Sequence, residues 1–249
     1  KSTTQGNTIL IVDDEPSTVE LHARMISAWA PACHIWKATN GKEALDIIHE
    51  MHPDLVLLDL MMPELDGFGV LQAMRGNSHS RDIPVIVLTG QTLTAEDMAK
   101  LGEGVTRVIK KGLFSAAETI SHIEAALLHN INLGSEARRA VRKAVVYLQS
   151  HYMEPISLEE TARYVNMSKE YLARCFRQEL GITLVTYLNR YRIHQAKQLL
   201  EQGERNLTSI ALETGFSSSA YFSRVFRQEV GISPSEYLGK MNHSRQTPQ

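Results

Sequence analysis

The chain has 249 residues, 43% of them apolar and 22% charged, with a net charge of −2. That length is long for one small domain and suits two of about 120 residues, each able to bury a core, which excludes a largely disordered chain. The longest uncharged apolar stretch, Met25 to Trp36, is only about a dozen residues and contains Pro31, Cys33 and His34, whereas a membrane span needs roughly 20.

The KSTTQGN start has no apolar segment, so no secretory signal is read from it. It also lacks a starting Met, which leaves open a processed form or a piece of something longer. Cys33 and Cys175 lie in different halves and give no disulfide framework or zinc spacing; a reducing cytoplasm is the expected compartment, with no membrane partner. Residues 1–130 carry 10 Lys and Arg against 17 Asp and Glu, while the remainder carries 16 against 11. An acidic half joined to a basic half suggests two jobs, the basic one a candidate for nucleic acid.

The first half alternates strand and helix. TILIV (Thr8–Val12), HIWKA (His34–Ala38), LVLL (Leu55–Leu58), PVIVL (Pro84–Leu88) and VTRVI (Val105–Ile109) read as short buried strands. Pro16 opens a helix to Trp29, and Gly41 leads into KEALDIIHEM. Weaker helices are expected over Phe68–Arg75 and Thr94–Leu101, and a longer one over Phe114–Leu128. Such βα units call for a parallel sheet covered on both faces and wound right-handedly.

On that frame Asp13 and Asp14 follow the first strand, Asp59 the third, Thr89 the fourth and Lys111 the fifth. These are carboxyl ends of parallel strands, where open α/β sheets bind ligands. Carboxylates a few ångströms apart repel; at 4 Å one pair costs roughly 4 kcal/mol at an effective dielectric of 20. A cation must offset that, and Mg²⁺ suits an all-oxygen site, with Lys111 a further positive charge. A carboxylate, Mg²⁺, a hydroxyl and a Lys also make a nest for a phosphoryl group, and a carboxylate can act as nucleophile to form an aspartyl phosphate. The plainer alternative is that each Asp only caps a helix or forms a turn. That reading weakens when four strand ends all carry the needed type.

LIVDDEP, TNGKEAL, LVLLDLMMPELDGFGVL, PVIVLTG and VIKKG, in this order, resemble the receiver domain of two-component response regulators over about residues 8–130. The resemblance implies a flavodoxin-like (βα)5 fold with strand order 2-1-3-4-5. It implies that Asp59 accepts phosphoryl from a sensor histidine kinase. Asp13, Asp14 and Asp59 would hold Mg²⁺ with the Met61 main-chain carbonyl, and Thr89 and Lys111 would contact the phosphoryl oxygens. Two positions depart from the pattern. Val108 stands at the switch position, where receivers usually carry Tyr or Phe, and Gly112 follows Lys111 where Pro is usual. Lys110 is a rival for the active Lys; the spacing from Thr89 and the phase of Val105 to Ile109 favour Lys111. Haloacid-dehalogenase-type phosphatases also use an Asp nucleophile, but want a second Asp two residues on, where this chain has Met61. No enzyme activity is therefore expected.

Strand signals vanish beyond the polar segment His129–Glu136, which reads as a linker. YLARCFRQELGITLVTYL, from Tyr171, matches YFSRVFRQEVGISPSEYL (Tyr221–Leu238) at an offset of 50. Upstream, SLEETARYVNMS (Ser157–Ser168) pairs with NLTSIALETGFS (Asn206–Ser217) at an offset of 49. A repeated unit reads as helix, tight turn, helix. Ser157 and Glu160 form a capping box, Ser168 caps a second helix, and Gly181 ends it. Leu172, Cys175, Phe176 and Leu180 make the apolar stripe. Lys169, Glu170, Ala173, Arg174 and Arg177 are left outside, as are Ser218, Ser219, Ala220, Ser223, Arg224 and Arg227 in the second unit. This is the helix-turn-helix pattern, whose second helix enters the major groove. Arg174 and Arg224 suit a guanine edge, Arg177 and Arg227 suit phosphates, and Ala173 and Ala220 suit a thymine methyl. The bland alternative makes these Arg residues the wet side of an amphipathic helix.

GFSSSAYFSRVFRQEVGISPSEYL resembles the signature of AraC-type transcription regulators, and the two-unit layout fits from about Arg138 to Leu238. The resemblance implies an all-α domain of seven helices with two helix-turn-helix units joined by a long helix, about Leu184–Gln202. Its recognition helices would be Ser168–Leu180 and Ser218–Val230, with double-stranded DNA and RNA polymerase as partners. The expected organisation is a tail over 1–7, receiver over 8–130, linker over 131–137, DNA-binding domain over 138–242 and a disordered tail over 243–249. Phosphorylation at Asp59 would promote a homodimer and change DNA affinity. Two other readings stay open: the C-terminal output portion of a hybrid sensor kinase, and a receiver used as a phosphorylation-independent interaction module, for which Val108 is the hint.

Overall fold

The computed structural model describes residues 6–101, 105–128, 135–203 and 206–246. The chain divides into two compact units, Lys1–Glu136 and Ala137–Gln249. In the first, β1 (Thr8–Val12), β2 (His34–Ala38), β3 (Leu55–Leu58), β4 (Val85–Thr89) and β5 (Val105–Lys110) form one parallel sheet in the order β2-β1-β3-β4-β5. The first three match expectation residue for residue. β4 begins one residue later than expected because Pro84 lends its carbonyl but no N–H to the ladder. β5 runs on to Lys110, paired with Thr89.

Helices α1 (Pro16–Trp29), α2 (Gly41–Met51), α3 (Gly67–Gly76), α4 (Ala95–Leu101) and α5 (Ala116–Leu127) cover the sheet. Their starts are set by local chemistry. Asn40 accepts from Glu43 N, Asp66 accepts from Gly69 N, and Ser115 closes a capping box with Glu118. One side of the sheet packs Ile9, Ile11, Leu55, Leu57, Ile86 and Ile109 against Val19, Ile26 and Ile123 from α1 and α5. Alternate residues of each strand supply this layer, as the period of two requires.

The second unit holds seven helices among the described residues: α6 (Ser135–Ser150), α7 (Leu158–Tyr164), α8 (Lys169–Leu180), α9 (Leu184–Gln202), α10 (Leu207–Glu213), α11 (Ser219–Val230) and α12 (Pro234–Gln246). Helix α9 has the expected bounds. Two expectations are corrected at the edges. Ser135, Glu136 and Ala137, expected in the linker, are already helical, because SEARRAVRKAVVYL carries an unbroken helical repeat. Helix α12 continues through Gln246, so residues 243–246 are helical rather than part of a tail. Residues 1–5, 129–134 and 247–249, the rest of the expected tails and linker, lie outside the described residues. Asn7 is tied down, accepting from His34 N at 2.9 Å.

One buried polar pair sits in the first unit beneath α5. Arg107 on β5 donates from Nη1 to His122 Nδ1 at 2.5 Å, and Phe114 meets the imidazole edge-on at 5.3 Å. Burial, then the neighbouring guanidinium, pushes the His122 pKa down to about 4. The neutral ring accepts from Arg107, so its proton resides on Nε2. An unfolded histidine titrates near 6.5. The stabilisation is therefore complete above about pH 6.5 and is lost as pH falls towards 4, where the unfolded chain binds a proton that the folded chain refuses. Both tryptophans, Trp29 and Trp36, lie in this unit, so their fluorescence reports its unfolding. Urea unfolding should show wild type losing about 2–3 kcal/mol more than His122→Gln between pH 7 and pH 4. Parallel pH curves would show that His122 titrates normally.

Candidate phosphoryl-acceptor site and twin recognition helices

Strand register brings Asp13, Asp14, Asp59 and Lys111 of the first unit together. Val12 pairs with Leu58, so Asp13 and Asp59 leave neighbouring strands at the same level. Main-chain bonds fix that level: Asp59 N donates to Val12 O at 2.9 Å, and Lys111 N donates to Thr89 O at 2.8 Å. Asp13, Asp59 and Thr89 are buried, while Asp14 is exposed.

Each buried strand-end side chain uses one oxygen to fold its own loop. Asp13 Oδ1 accepts from Glu15 N at 3.1 Å, Asp59 Oδ1 from Met61 N at 3.2 Å, and Thr89 Oγ1 from Gln91 N at 3.2 Å. These are the turn-forming roles that the plainer alternative assigns to Asp, and they coexist with a second role. The other oxygens, Oδ2 of Asp13 and of Asp59, both accept from Lys111 Nζ at 2.5 Å. Burial alone would pull Lys111 down, but its hydrogen bonds to Asp13 and Asp59 outweigh this and hold its pKa above the ordinary value. For Asp13 burial dominates, and its pKa is raised despite Lys111.

The two adjacent lysines reach different partners. Lys110 points elsewhere, its Nζ donating to Gly90 O at 3.1 Å and Thr92 Oγ1 at 3.2 Å. Val108 sits half-buried in β5, paired with Val87. Asp13, Asp14 and Asp59 offer carboxylate oxygens that all lie within 4.8 Å of one another. Three carboxylates and one ammonium leave an all-oxygen, net negative cluster, which fits a hard divalent cation such as Mg²⁺.

In the second unit the capping box of Ser157 and Glu160, the caps Ser168 and Ser218, and the left-handed Gly181 and Gly231 shape the two helical pairs. Lys169, Glu170, Arg174 and Arg177 on α8 are exposed, with Ala173 half-buried; Ser219, Ala220, Ser223, Arg224 and Arg227 on α11 are exposed. The stripe of Leu172, Cys175, Phe176 and Leu180 is buried. Lys169 pairs with Glu159 on α7 at 2.7 Å. Equivalent residues line an open concavity in each copy: Ala173, Arg174, Arg177, Gln178 and Thr183 in the first, Ser223, Arg224, Arg227, Gln228 and Ser233 in the second. One pair of contacts is not anticipated from the sequence. The Arg174 guanidinium lies 5.0 Å from the Tyr171 ring centre, and that of Arg224 lies 5.1 Å from Tyr221. Identical Tyr and Arg three residues apart in both copies carry that signal.

Comparison with known proteins agrees with this division. Residues 9–124 match the family described as the response regulator receiver domain, and residues 161–240 a helix-turn-helix domain. The chain belongs to the two-component response regulators, joining a receiver to an AraC-type helix-turn-helix domain. It is 38% identical over 122 residues to a probable transcriptional regulator, ycf27, of Guillardia theta, covering 48% of this chain and 44% of that protein. It is 27% identical over 205 residues to a response regulatory protein of Staphylococcus epidermidis, covering 74% of this chain and 78% of that one. The C-terminal domain of AraT, a response regulator from Geobacillus stearothermophilus, is 34% identical with a TM-score of 0.39, covering 44% of this chain and 88% of the solved chain. Among the described residues no helix is long and apolar enough to cross a membrane.

The Asp59 loop closes through Gly67, whose N–H donates to Leu60 O at 2.9 Å. A Cβ there would meet Asp59 O at 2.3 Å and Leu60 Cα at 2.7 Å, whereas a Cβ at Gly76 would meet nothing within 4 Å. Gly67→Ala should therefore destabilise the receiver by about 1–3 kcal/mol, with Gly76→Ala neutral or slightly stabilising. Urea unfolding followed by tryptophan fluorescence checks this, and equal midpoints for the two variants would refute it.

Proposed function

We propose that this chain is a transcriptional response regulator in which phosphorylation of Asp59 controls sequence-specific binding of duplex DNA. The observation that carries the first half is the Lys111 ammonium shared by the inner oxygens of Asp13 and Asp59. Asp59 attacks the phosphorus of a sensor kinase's phosphohistidine; the P–N bond breaks as the P–O bond forms, and the imidazole leaves. Lys111 and Thr89 neutralise and hydrogen-bond the oxygens of the incoming group. Asp13, Asp14 and Asp59, with the Met61 carbonyl, would hold Mg²⁺, which supplies charge neutralisation when bound. The protein modifies itself and turns over no substrate.

The second half rests on two exposed recognition faces with Arg174 and Arg224 steadied on tyrosine rings. A guanidinium held in one plane suits the bidentate edge of guanine. Arg177 and Arg227, one turn on, suit phosphates. Val108 lacks the aromatic ring of the usual relay, so the phosphorylation signal would leave through the surface near α4 and α5 without it. The outcome would be a homodimer, with avidity for repeated sites and a surface for RNA polymerase. A coupling of about 1–3 kcal/mol gives a 5- to 150-fold change in affinity.

Asp59→Asn should abolish Mg²⁺-dependent labelling by acetyl phosphate. Labelling that persists in the variant would move the phosphosite elsewhere, and no labelling of wild type would favour a phosphorylation-independent interaction module. Arg224→Ala should relax preference at one base pair of a selected duplex by roughly 1–3 kcal/mol. A uniform loss across sequences would instead make Arg224 a phosphate contact.

A further inference from the structure

We propose that Arg192 and Gly215 clamp the two helix-turn-helix units into one register, so that the domain reads two half-elements at a single fixed spacing. The inference rests on the duplex-reading function above and adds a specificity that neither recognition helix possesses alone.

Arg192 lies midway along α9 and is only 7% exposed. Its Nε donates to Tyr152 O at 2.8 Å and its Nη2 to Glu154 O at 2.8 Å. Its guanidinium also lies 5.7 Å from the centre of the Phe216 ring. Tyr152 and Glu154 belong to the loop that leads into α7, and Phe216 to the turn between α10 and α11. One side chain thus ties the start of the first helical pair to the turn of the second. Burial lowers the pKa of this arginine, yet guanidinium remains charged at any working pH, so the clamp does not titrate.

Gly215 shows that loop and turn meet backbone to backbone. Its φ is +80°, and a Cβ there would meet Tyr152 O at 2.3 Å and Met153 Cα at 2.9 Å. The repeat supplies an internal control. At the offset of 49 the first unit has Asn166, also left-handed with φ 56°. Asparagine tolerates that conformation, so the turn does not itself demand glycine. The second unit carries glycine because the Tyr152 carbonyl occupies the space of a side chain.

Neighbouring residues of α9 extend the same attachment. Arg190 pairs with Glu229 of α11 at 2.8 Å, with both side chains less than one-fifth exposed. Asn189 donates to the Tyr221 hydroxyl at 2.8 Å, under the ring that carries Arg224. Tyr191 meets Tyr152 edge-on at 5.3 Å. Inserting one base pair between half-elements shifts one of them by about 3.4 Å and about a tenth of a turn. A clamped pair cannot track both grooves after that shift.

The full chain is first used to select duplexes from random sequence, and the spacer of the selected site is then changed by one base pair in each direction. Wild type should lose about tenfold or more in affinity on either change. Arg192→Met, which donates to neither carbonyl, and Gly215→Asn, which borrows the first helix-turn-helix unit's residue, should bind the selected site more weakly. Both should keep the base preference of each half-element, and their spacer penalty should shrink to within about threefold, because the register is no longer pre-organised. Wild type indifferent to the spacer would overturn the proposal, as would variants that discriminate spacing as wild type does. A variant that no longer melts cooperatively would also overturn it, by making Arg192 or Gly215 a residue of general stability. If wild type enriches no duplex at all, it is the DNA-binding reading that fails.

Discussion

One ammonium between two buried carboxylates organises the first unit. Lys111 reaches Asp13 and Asp59 only because β1 and β3 are adjacent in the sheet and β5 ends level with Thr89. The constraint is reciprocal. Without the cation, two nearly buried carboxylates on neighbouring strands would repel each other in a medium that screens poorly. Without the carboxylates, a half-buried lysine would lose the hydrogen bonds that keep it charged. Burial nonetheless raises the Asp13 pKa, so Lys111 alone does not fully offset the cost of ionising that side chain. The strand ends thus hold concentrated negative charge, a donor set that fits a further hard cation.

The same side chains also build the loops in which they stand. Asp13, Asp59 and Thr89 each accept the N–H two residues on, which fixes the orientation of the two carboxylates and of the Thr89 hydroxyl oxygen. A residue that fixes its own loop leaves its second oxygen pointing in a defined direction. For Asp13 and Asp59 the turn-forming bond and the bond to Lys111 are thus made by the two oxygens of one carboxylate, so the turn-forming reading does not compete with the proposed one.

Much of this is legible in the sequence because it depends on short-range pattern. Three strands, α1 and α9 fall on their expected bounds, and the caps Ser157, Ser168 and Gly181 stand where their chemistry puts them. Strand phase favours Lys111 over Lys110, and in the structure Lys111 reaches Asp13 and Asp59 while Lys110 reaches Gly90 and Thr92. The contacts that stay hidden join residues far apart in the chain. Arg107 finds His122 across a strand and a helix, and Arg192 finds Tyr152 from 40 positions away. Nothing in the local spacing of either pair announces it. The edges differ for another reason: the polarity of HNINLGSE suggests a linker, although its last residues, Ser135 and Glu136, already belong to the helix that continues through ARRAVRKAVVYL.

The repeat in the second unit is identical in sequence at many positions yet unequal in surroundings. Tyr171 is an exposed ring beneath Arg174, whereas Tyr221 is half-buried with its hydroxyl held by Asn189 of α9. Lys169 at the head of α8 is drawn to Glu159, while serine begins α11. The left-handed turn residue is Asn166 in one copy and Gly215 in the other. The Tyr221 and Gly215 differences belong to contacts of the second copy with α9 and with the loop before α7. Duplicated helices joined by a straight helix alone would bend or twist independently at the joint. Contacts from Asn189, Arg190 and Arg192 tie α9 to α11 and to the loop before α7, and they are the constraint on which the proposed single spacing of the two recognition helices rests.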